Sequence, residues 1–255
     1  MPYQQFSQYY DLFTKNVNYP GRAAYFDRII KRFAPESRLL LDLACGTGSL
    51  SVELAKYGYQ VIGTDGSVDM LSVAAEKART DSLDILFISQ KMQDLALIVP
   101  VDAAVCALDS LNHITEKGVL CRVLGRVFRF LKPGGIFVFD VNTLYKHRKV
   151  LSNNAFLFEE SGVFCAWQNE YSEENHVVTI YLDFFEKIRD NQYKRSCECF
   201  QERAYSHREL TGIVRESGME LIACYDEDSF LPAHSKTQRA VYVCRKPKHS
   251  RQRRF

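Results

Sequence analysis

The sequence predicts an α/β fold: a mostly parallel seven-stranded sheet with helices on both faces, plus a small inserted antiparallel β-sheet. Three observations carry this. Through the first 140 or so residues, short apolar runs alternate with segments of helical periodicity. Several of those runs end in an acid or a glycine-rich turn, as strands do when they deliver groups to a crevice at their carboxyl ends. After about Asn153 the pattern becomes β-prone segments of similar spacing, divided by polar turns.

The elements follow in order. Residues 38–43 (RLLLDL) form a first strand that runs into a turn of small residues at 44–48. A helix over 49–57 places Leu50, Val52 and Leu54 among its apolar positions, with Gly58 where a C-cap belongs. Residues 59–64 (YQVIGT) form a second strand ending at Asp65. Met70, Leu71, Ala74, Ala75 and Ala78 then recur at helical spacing. Strands follow at 84–89 and 101–108, the latter apolar enough to be buried on both faces. A helix over 119–131 is closed by Lys132-Pro133-Gly134-Gly135, and 136–140 forms a fifth strand. Residues 156–158, 163–171, 177–187 and 193–203 predict an antiparallel meander. A helix over 206–216 has Ser206 as N-cap and Glu209 three residues on, the spacing of a capping box, with Gly218 at its end. Residues 221–225 and 239–244 close the sheet. The expected division is a core of residues 1–150 and 206–255 with 151–205 inserted as a cap.

Composition narrows the class. With 255 residues, 46% hydrophobic and 25% charged, the chain is globular rather than disordered. No apolar run reaches the roughly 18 residues of a membrane span. The N-terminal residues lack a basic stretch followed by an apolar one, so a cytoplasmic location is expected. Eight cysteines are scattered, and only Cys197 and Cys199 are close, as C-x-C; zinc spacing is absent, so reduced thiols and no metal are expected. Arg245, Lys246, Lys248, Arg251, Arg253 and Arg254 crowd the last eleven residues, so the net charge of +2 conceals −4 on residues 1–244.

The strongest motif is Leu41-Asp42-Leu43-Ala44-Cys45-Gly46-Thr47-Gly48. Gly46 and Gly48 let the backbone approach a ligand closely, and the following helix offers unpaired N–H groups. The stretch resembles the first motif of class I S-adenosylmethionine-dependent methyltransferases, roughly [DE]-x-G-x-G-x-G, on Asp42, Ala44, Gly46 and Gly48, with Ala44 in place of the first glycine. The resemblance implies a Rossmann-like core and S-adenosyl-L-methionine as cofactor. Asp65, 23 residues after Asp42 at the next strand tip, suits both hydroxyls of a ribose and is used so in the family. An N-cap role for Asp65 is compatible with this.

By the same resemblance, Gln90 and Met92 lie where adenine is held. Lys91 stands where related enzymes carry an acid, and as a donor only it leaves the Met92 N–H to make the contact. Asp109-Ser110-Leu111-Asn112-His113 looks like the loop beside the transferred methyl in small-molecule methyltransferases, with the histidine placed as in aminosugar N,N-dimethyltransferases. His113 is either the base that takes the acceptor's proton or a residue that shapes the loop. Asp109 either orients an amine or holds the cofactor's amino group. Tyr9-Tyr10-Asp11 resembles the Y-D element that folds over the cofactor, within an aromatic segment of Tyr3, Phe6, Tyr9, Tyr10, Phe13 and Tyr19. Tyr10 and Tyr19 are the candidates for the pocket, where aromatic rings attract a sulfonium, and Tyr10 is also a catalytic candidate. In the insert, Trp167 and Arg203 are acceptor-binding candidates among Asn169, Tyr181, Phe184, Glu198 and Glu202, with Arg203, Glu198 and Glu202 alternatively a structural ion-pair cluster.

The function expected is methyl transfer by in-line displacement to nitrogen or oxygen of a small-molecule acceptor, by a monomer or homodimer, in which positioning supplies most of the catalysis. The alternatives are an RNA methyltransferase using the basic tail, against which the acidic body argues, and a catalytically silent cofactor-binding protein, which Lys91 favours.

Overall fold

A computed structural model describes residues 6–190 and 192–248. Its central sheet is built from β1 (Leu39–Leu43), β2 (Gln60–Asp65), β3 (Leu86–Ser89), β4 (Val101–Cys106) and β5 (Leu131–Asn142), all parallel. A second sheet, β6 (Ala155–Glu160), β7 (Val163–Ser172), β8 (Val177–Arg189) and β9 (Gln192–Arg203), is an antiparallel meander paired in sequence order. The chain then returns to the first sheet through β10 (Glu220–Asp226) and β11 (Arg239–Arg245), giving the order β10-β11-β5-β4-β1-β2-β3 with β11 antiparallel to its neighbours.

Alternation along the strands explains the layering. Phe137, Phe139 and Val141 of β5 share one core with Leu41 and Leu43, and helices α5 (Lys117–Phe130) and α7 (His207–Glu216) cover it. Ile136 and Val138 face the opposite way, with Leu40, Ala103 and Val105, and are covered by α2 (Tyr19–Phe33) and α3 (Ser49–Lys56). Helix α4 (Val68–Thr80) packs beside α3. No helix among the described residues is long and apolar enough to cross a membrane.

The capping box of α7 forms as read, Ser206 and Glu209 each accepting from the other's backbone N–H. Three features differ from expectation. Helix α2 has no counterpart among the expected elements, although Asn18 caps it by accepting from the Gly21 N–H at 2.9 Å and Pro20 sits in its first turn, the usual start signals. Strand β5 begins at Leu131, not at 136. Lys132-Pro133-Gly134-Gly135 continues pairing, with the Gly134 N–H donating to the Lys246 carbonyl just past β11 and the Lys246 N–H donating to the Gly135 carbonyl, and a Cβ on Gly135 would stand 2.6 Å from the Asp102 carbonyl. Finally, Arg245 and Lys246 belong to the fold rather than to a tail. Arg245 donates to the Phe33 carbonyl, and Lys246 caps α5 by donating to the carbonyls of Phe128 and Leu131 at 2.8 and 2.7 Å. Arg251, Arg253 and Arg254 lie outside the described residues, as does Tyr3.

The second sheet sits over the carboxyl ends of the first. Val178, Ile180, Leu182 and Phe184 form its buried face. Onto that face packs α1 (Phe6–Phe13): Tyr9 stacks on Phe184 with centroids 5.1 Å apart, and its hydroxyl donates to Glu186. The N-terminal helix is therefore fastened to the inserted sheet.

Candidate active site

The cleft forms where β1 ends. Ala44 and Gly46 adopt φ of +59° and +54°, so the turn doubles back within three residues. Gly46 donates its N–H to Asp65 Oδ2 at 2.9 Å, and Ser67 donates to Asp65 Oδ1 at 2.8 Å. One carboxylate at the tip of β2 thus ties the turn to the head of α4. Ser67, not Asp65, caps α4, accepting from the Met70 N–H. Burial raises the Asp65 carboxyl, opposed by those N–H groups and by His113. Asp42 accepts from the Ser51 hydroxyl, and burial pushes its carboxyl up to about 7.

Tyr10, Tyr19, Asp42, Ala44, Gly46, Thr47, Ser49, Leu50, Leu108 and Ser110 are on the cleft wall. Burial raises the Tyr19 hydroxyl, which sits against Thr14 and Tyr10. Helix α3 starts at Gly48 with no side-chain cap, which leaves first-turn N–H groups for a ligand. Helix α1 closes this space. Asp11 accepts from Thr47 at 2.7 Å and from Lys77, whose ammonium also donates to Thr47 and Ser49. With the latch shut the cavity is only about 30 Å³, against roughly 300–1,000 Å³ for ordinary ligand pockets.

Beyond Leu108 lies a buried polar network. Leu108 and Asp109 both have positive φ, 55° and 53°, and both donate their N–H groups to Asp140, within the buried stretch of β5. Two adjacent left-handed non-glycine residues store strain that Asp140 holds in place. Arg239 bridges Asp109, Asp140 and Glu227 at 2.7, 2.7 and 3.0 Å, and Arg22 reaches Asp140 and Glu227. Burial alone would raise Asp109, but Arg239 and Lys146 hold its carboxyl well below the usual range. Asn142 donates to Asp109 and Glu202 and accepts from Lys146.

Asp109, a cofactor-binding candidate, pairs within this network with Arg239 and Asn142. The Gln90 side chain closes its own loop, donating to and accepting from the backbone of Ala96. Gly48 makes room for α4: a Cβ would lie 2.7 Å from that of Ala74. Arg203 donates to Thr115 and Glu209 and lies 4.6 Å over the Tyr205 ring, which anchors the return from the inserted sheet and pairs with neither Glu198 nor Glu202. Trp167 donates to Asn169 and packs on Phe156 and Phe158 within that sheet. Met92 starts a short 3₁₀ turn and packs half-buried against the core. His113, 31% exposed, stands between Phe200, at 5.2 Å between centroids, and Glu202.

Asp140, Arg239, Arg22 and Glu227 escaped the sequence reading because nothing local marks them. Their only signal is position: an acid at a strand end and an arginine opening β11, which meet through register Arg239↔Asn142.

A family model described as a methyltransferase domain matches residues 40–135. A putative methyltransferase of Bacillus subtilis (strain 168), YqeM, is 30% identical over 249 residues, covering 97% of this chain and 98% of that one. The crystal structure of an S-adenosylmethionine-dependent methyltransferase from Clostridium acetobutylicum superposes with a TM-score of 0.86 at 29% identity, over 96% of this chain and 99% of the other. A dTDP-3-amino-3,6-dideoxy-alpha-D-glucopyranose N,N-dimethyltransferase of Streptomyces fradiae is 30% identical over 138 residues, 53% of this chain and 52% of its own.

Proposed function

The chain belongs to the class I S-adenosylmethionine-dependent methyltransferases, and from that premise we propose that it methylates nitrogen or oxygen of a small-molecule acceptor enclosed between the main sheet and the inserted one. The observation that carries the reading is the cleft itself: Tyr10 and Tyr19 close over the Asp42–Gly46 turn, and Asp65 is wired to that turn by the Gly46 N–H.

The residues present fit the cofactor. Asp65 supplies a carboxylate at the strand tip, whose oxygens each accept one backbone N–H and have further lone pairs for hydroxyls. The uncapped N–H groups of α3 and the Met92 N–H are donors for the cofactor's polar ends, and the two tyrosine rings suit a cation. When bound, S-adenosylmethionine supplies a methyl group on a positively charged sulfur. The chain's own part is to close α1 over that site, exclude water, and hold the acceptor near His113, which takes the proton the acceptor loses. The polar network beneath Leu108 keeps the floor of the site rigid, so positioning survives without a metal ligand set.

An acceptor on this scale is supported by the inserted sheet, which roofs the site and leaves α1 beneath it, and by the name of the Streptomyces fradiae relative, an aminosugar N,N-dimethyltransferase. Calorimetry with S-adenosylmethionine tests the cofactor site. Wild type is expected to bind and Asp65→Ala to bind at least tenfold more weakly, about 1.4 kcal/mol. No heat of binding in wild type refutes the reading.

A further inference from the structure

Outside the groups discussed so far, the structure brings two imidazoles to one buried carboxylate. Glu202 lies on the last turn-inward position of β9, paired with Val178 on the buried face of the inserted sheet, and is 5% exposed. Its Oε1 is 3.9 Å from His113 Nε2, and its Oε2 is 3.6 Å from Nε2 of the fully buried His147. Asn142 donates to the same Oε2 at 3.3 Å. Neither ring nitrogen of His147 has a hydrogen-bond partner among the described residues. His147 opens a π-helical turn, His147–Leu151, and such turns often mark functional sites.

The juxtaposition is held deliberately. Asn112 donates to the carbonyls of Asn142 and Arg203, at 3.0 and 2.9 Å, and accepts from the Asn142 N–H at 2.9 Å. One fully buried amide therefore pins the His113 turn, the end of β5 and the end of β9 to each other, next to Glu202. The charges point the same way. Among the described residues, Asp109, Asp140, Glu227 and Glu202 meet Arg22, Arg239 and Lys146 as fixed cations. Arg239 and Arg22 pair with the first three acids, and Lys146 donates to Asn142. The two imidazoles and the Asn142 amide lie nearest Glu202, and the Lys146 ammonium acts on it at longer range.

We propose that Glu202 is a positioning residue for methyl transfer: it orients the His113 ring through Nε2 and stabilises the imidazolium formed there, while Asn142 holds the carboxylate by its other oxygen. This rests on the reading of His113 as the group that takes the acceptor's proton. In that step the acceptor nitrogen or oxygen forms a bond to the methyl carbon as the carbon–sulfur bond breaks. The electron pair of that bond stays on sulfur, which becomes a neutral thioether, and the acceptor's proton passes to His113. Nε2 is the ring nitrogen nearer Glu202, at 3.9 Å, which leaves Nδ1 to receive the proton. The carboxylate offsets the positive charge that forms, as the orienting acid does in a Ser-His-Asp triad. The groups that set its field are His113 and Asp109 from the loop after β4, Asn142, Lys146 and His147 from the segment after β5, and Arg239 from β11.

The test uses full-length protein with isotope-labelled histidine, followed by nuclear magnetic resonance across pH. The signals of His113 and His147 are assigned with His113→Gln and His147→Gln. In Glu202→Gln, the ring-nitrogen signals of the neutral His113 ring are expected to change from one fixed tautomer to a mixture of both, because the carboxylate that favours Nε2–H is gone. Calorimetry should show S-adenosylmethionine binding within about threefold of wild type in the same variant. Glu202→Asp, which keeps the charge on a shorter arm, should change the signals less, and it serves if Glu202→Gln does not fold. Unchanged His113 ring-nitrogen signals in a folded variant that still binds cofactor overturn the proposal and leave the enzyme reading standing. A wild type that fails to bind cofactor overturns that reading instead.

Discussion

Removal of the Arg239 side chain tests the network beneath the site. Arg239 is 10% exposed at the side chain, and its guanidinium joins Asp109, 17% exposed, to the fully buried Asp140. Arg239→Met leaves a side chain of similar reach and no charge, so Asp109 loses its main counter-ion and Asp140 keeps only Arg22, at 3.3 Å. Breaking a buried pair from one side costs about 3–5 kcal/mol, because the remaining carboxylate is desolvated without compensation. For a chain of this size each kcal/mol lowers Tm by roughly 2–4 °C, so a drop of about 6–20 °C is expected. The pH dependence carries the diagnosis. In wild type the folded Asp109 carboxyl lies below its unfolded value, so its stabilisation is present above the unfolded value and lost as pH falls through the folded one. In the variant, burial without the arginine raises the Asp109 carboxyl instead. The penalty is then largest near neutral pH and shrinks as the pH approaches the carboxylate range. Urea unfolding of both proteins at about pH 8 and about pH 5 measures this. A loss under about 1 kcal/mol, or an equal loss at both pH values, would refute the reasoning.

Other expectations follow from the same geometry. Lys77→Met opens the latch on Asp11, Thr47 and Ser49; since the pair is part-exposed, about 1 kcal/mol is at stake. Stopped-flow binding should show both cofactor association and dissociation about fivefold faster, with Kd within about threefold; a large change in Kd at unchanged rates would contradict a latch. Asp42 is held up to about 7 by burial, so wild type should lose stability relative to Asp42→Asn as pH rises from about 4 to about 7, with no further change above. A difference flat across that range in urea unfolding would dismiss the buried-acid assignment. Gln90→Ala breaks two exposed bonds to Ala96 and should leave cofactor affinity within about threefold; a tenfold loss would restore Gln90 to the binding site. Deletion after Lys248 should leave Tm unchanged, whereas deletion from Lys246 should lower it by removing the α5 cap.

The parts of this molecule that were legible share a physical cause: they are local. Asp42 to Gly48 is a strand, a turn and a helix start written consecutively, and Asp65 is the end of the next strand. The capping box Ser206–Glu209 is four residues long. The meander declares itself by its polar turns, whereas which face is buried, that of Ile180 and Phe184, is set by the structure. What was not legible depends on register between distant segments. Arg239 meets Asp109 only because β11 pairs with β5, and Glu202 meets His113 only because β9 returns beside the loop after β4. Asp109 and Gln90 have partners within the fold that their place in the chain does not announce, an arginine 130 residues away and a carbonyl six residues on. The basic tail was overextended for the opposite reason: charge alone does not reveal that Lys246 is anchored to two helix-end carbonyls.

The claim on which the account turns is that this cleft moves a methyl group from S-adenosylmethionine to a small molecule. Incubation of the purified chain with methyl-labelled S-adenosylmethionine and a deproteinised, RNA-depleted metabolite extract tests it most directly. The account expects label in a low-molecular-weight product, S-adenosylhomocysteine in equal amount, and loss of both with Asp65→Ala. Label that appears only when RNA or protein is restored, or none with any fraction while the cofactor binds, would contradict it.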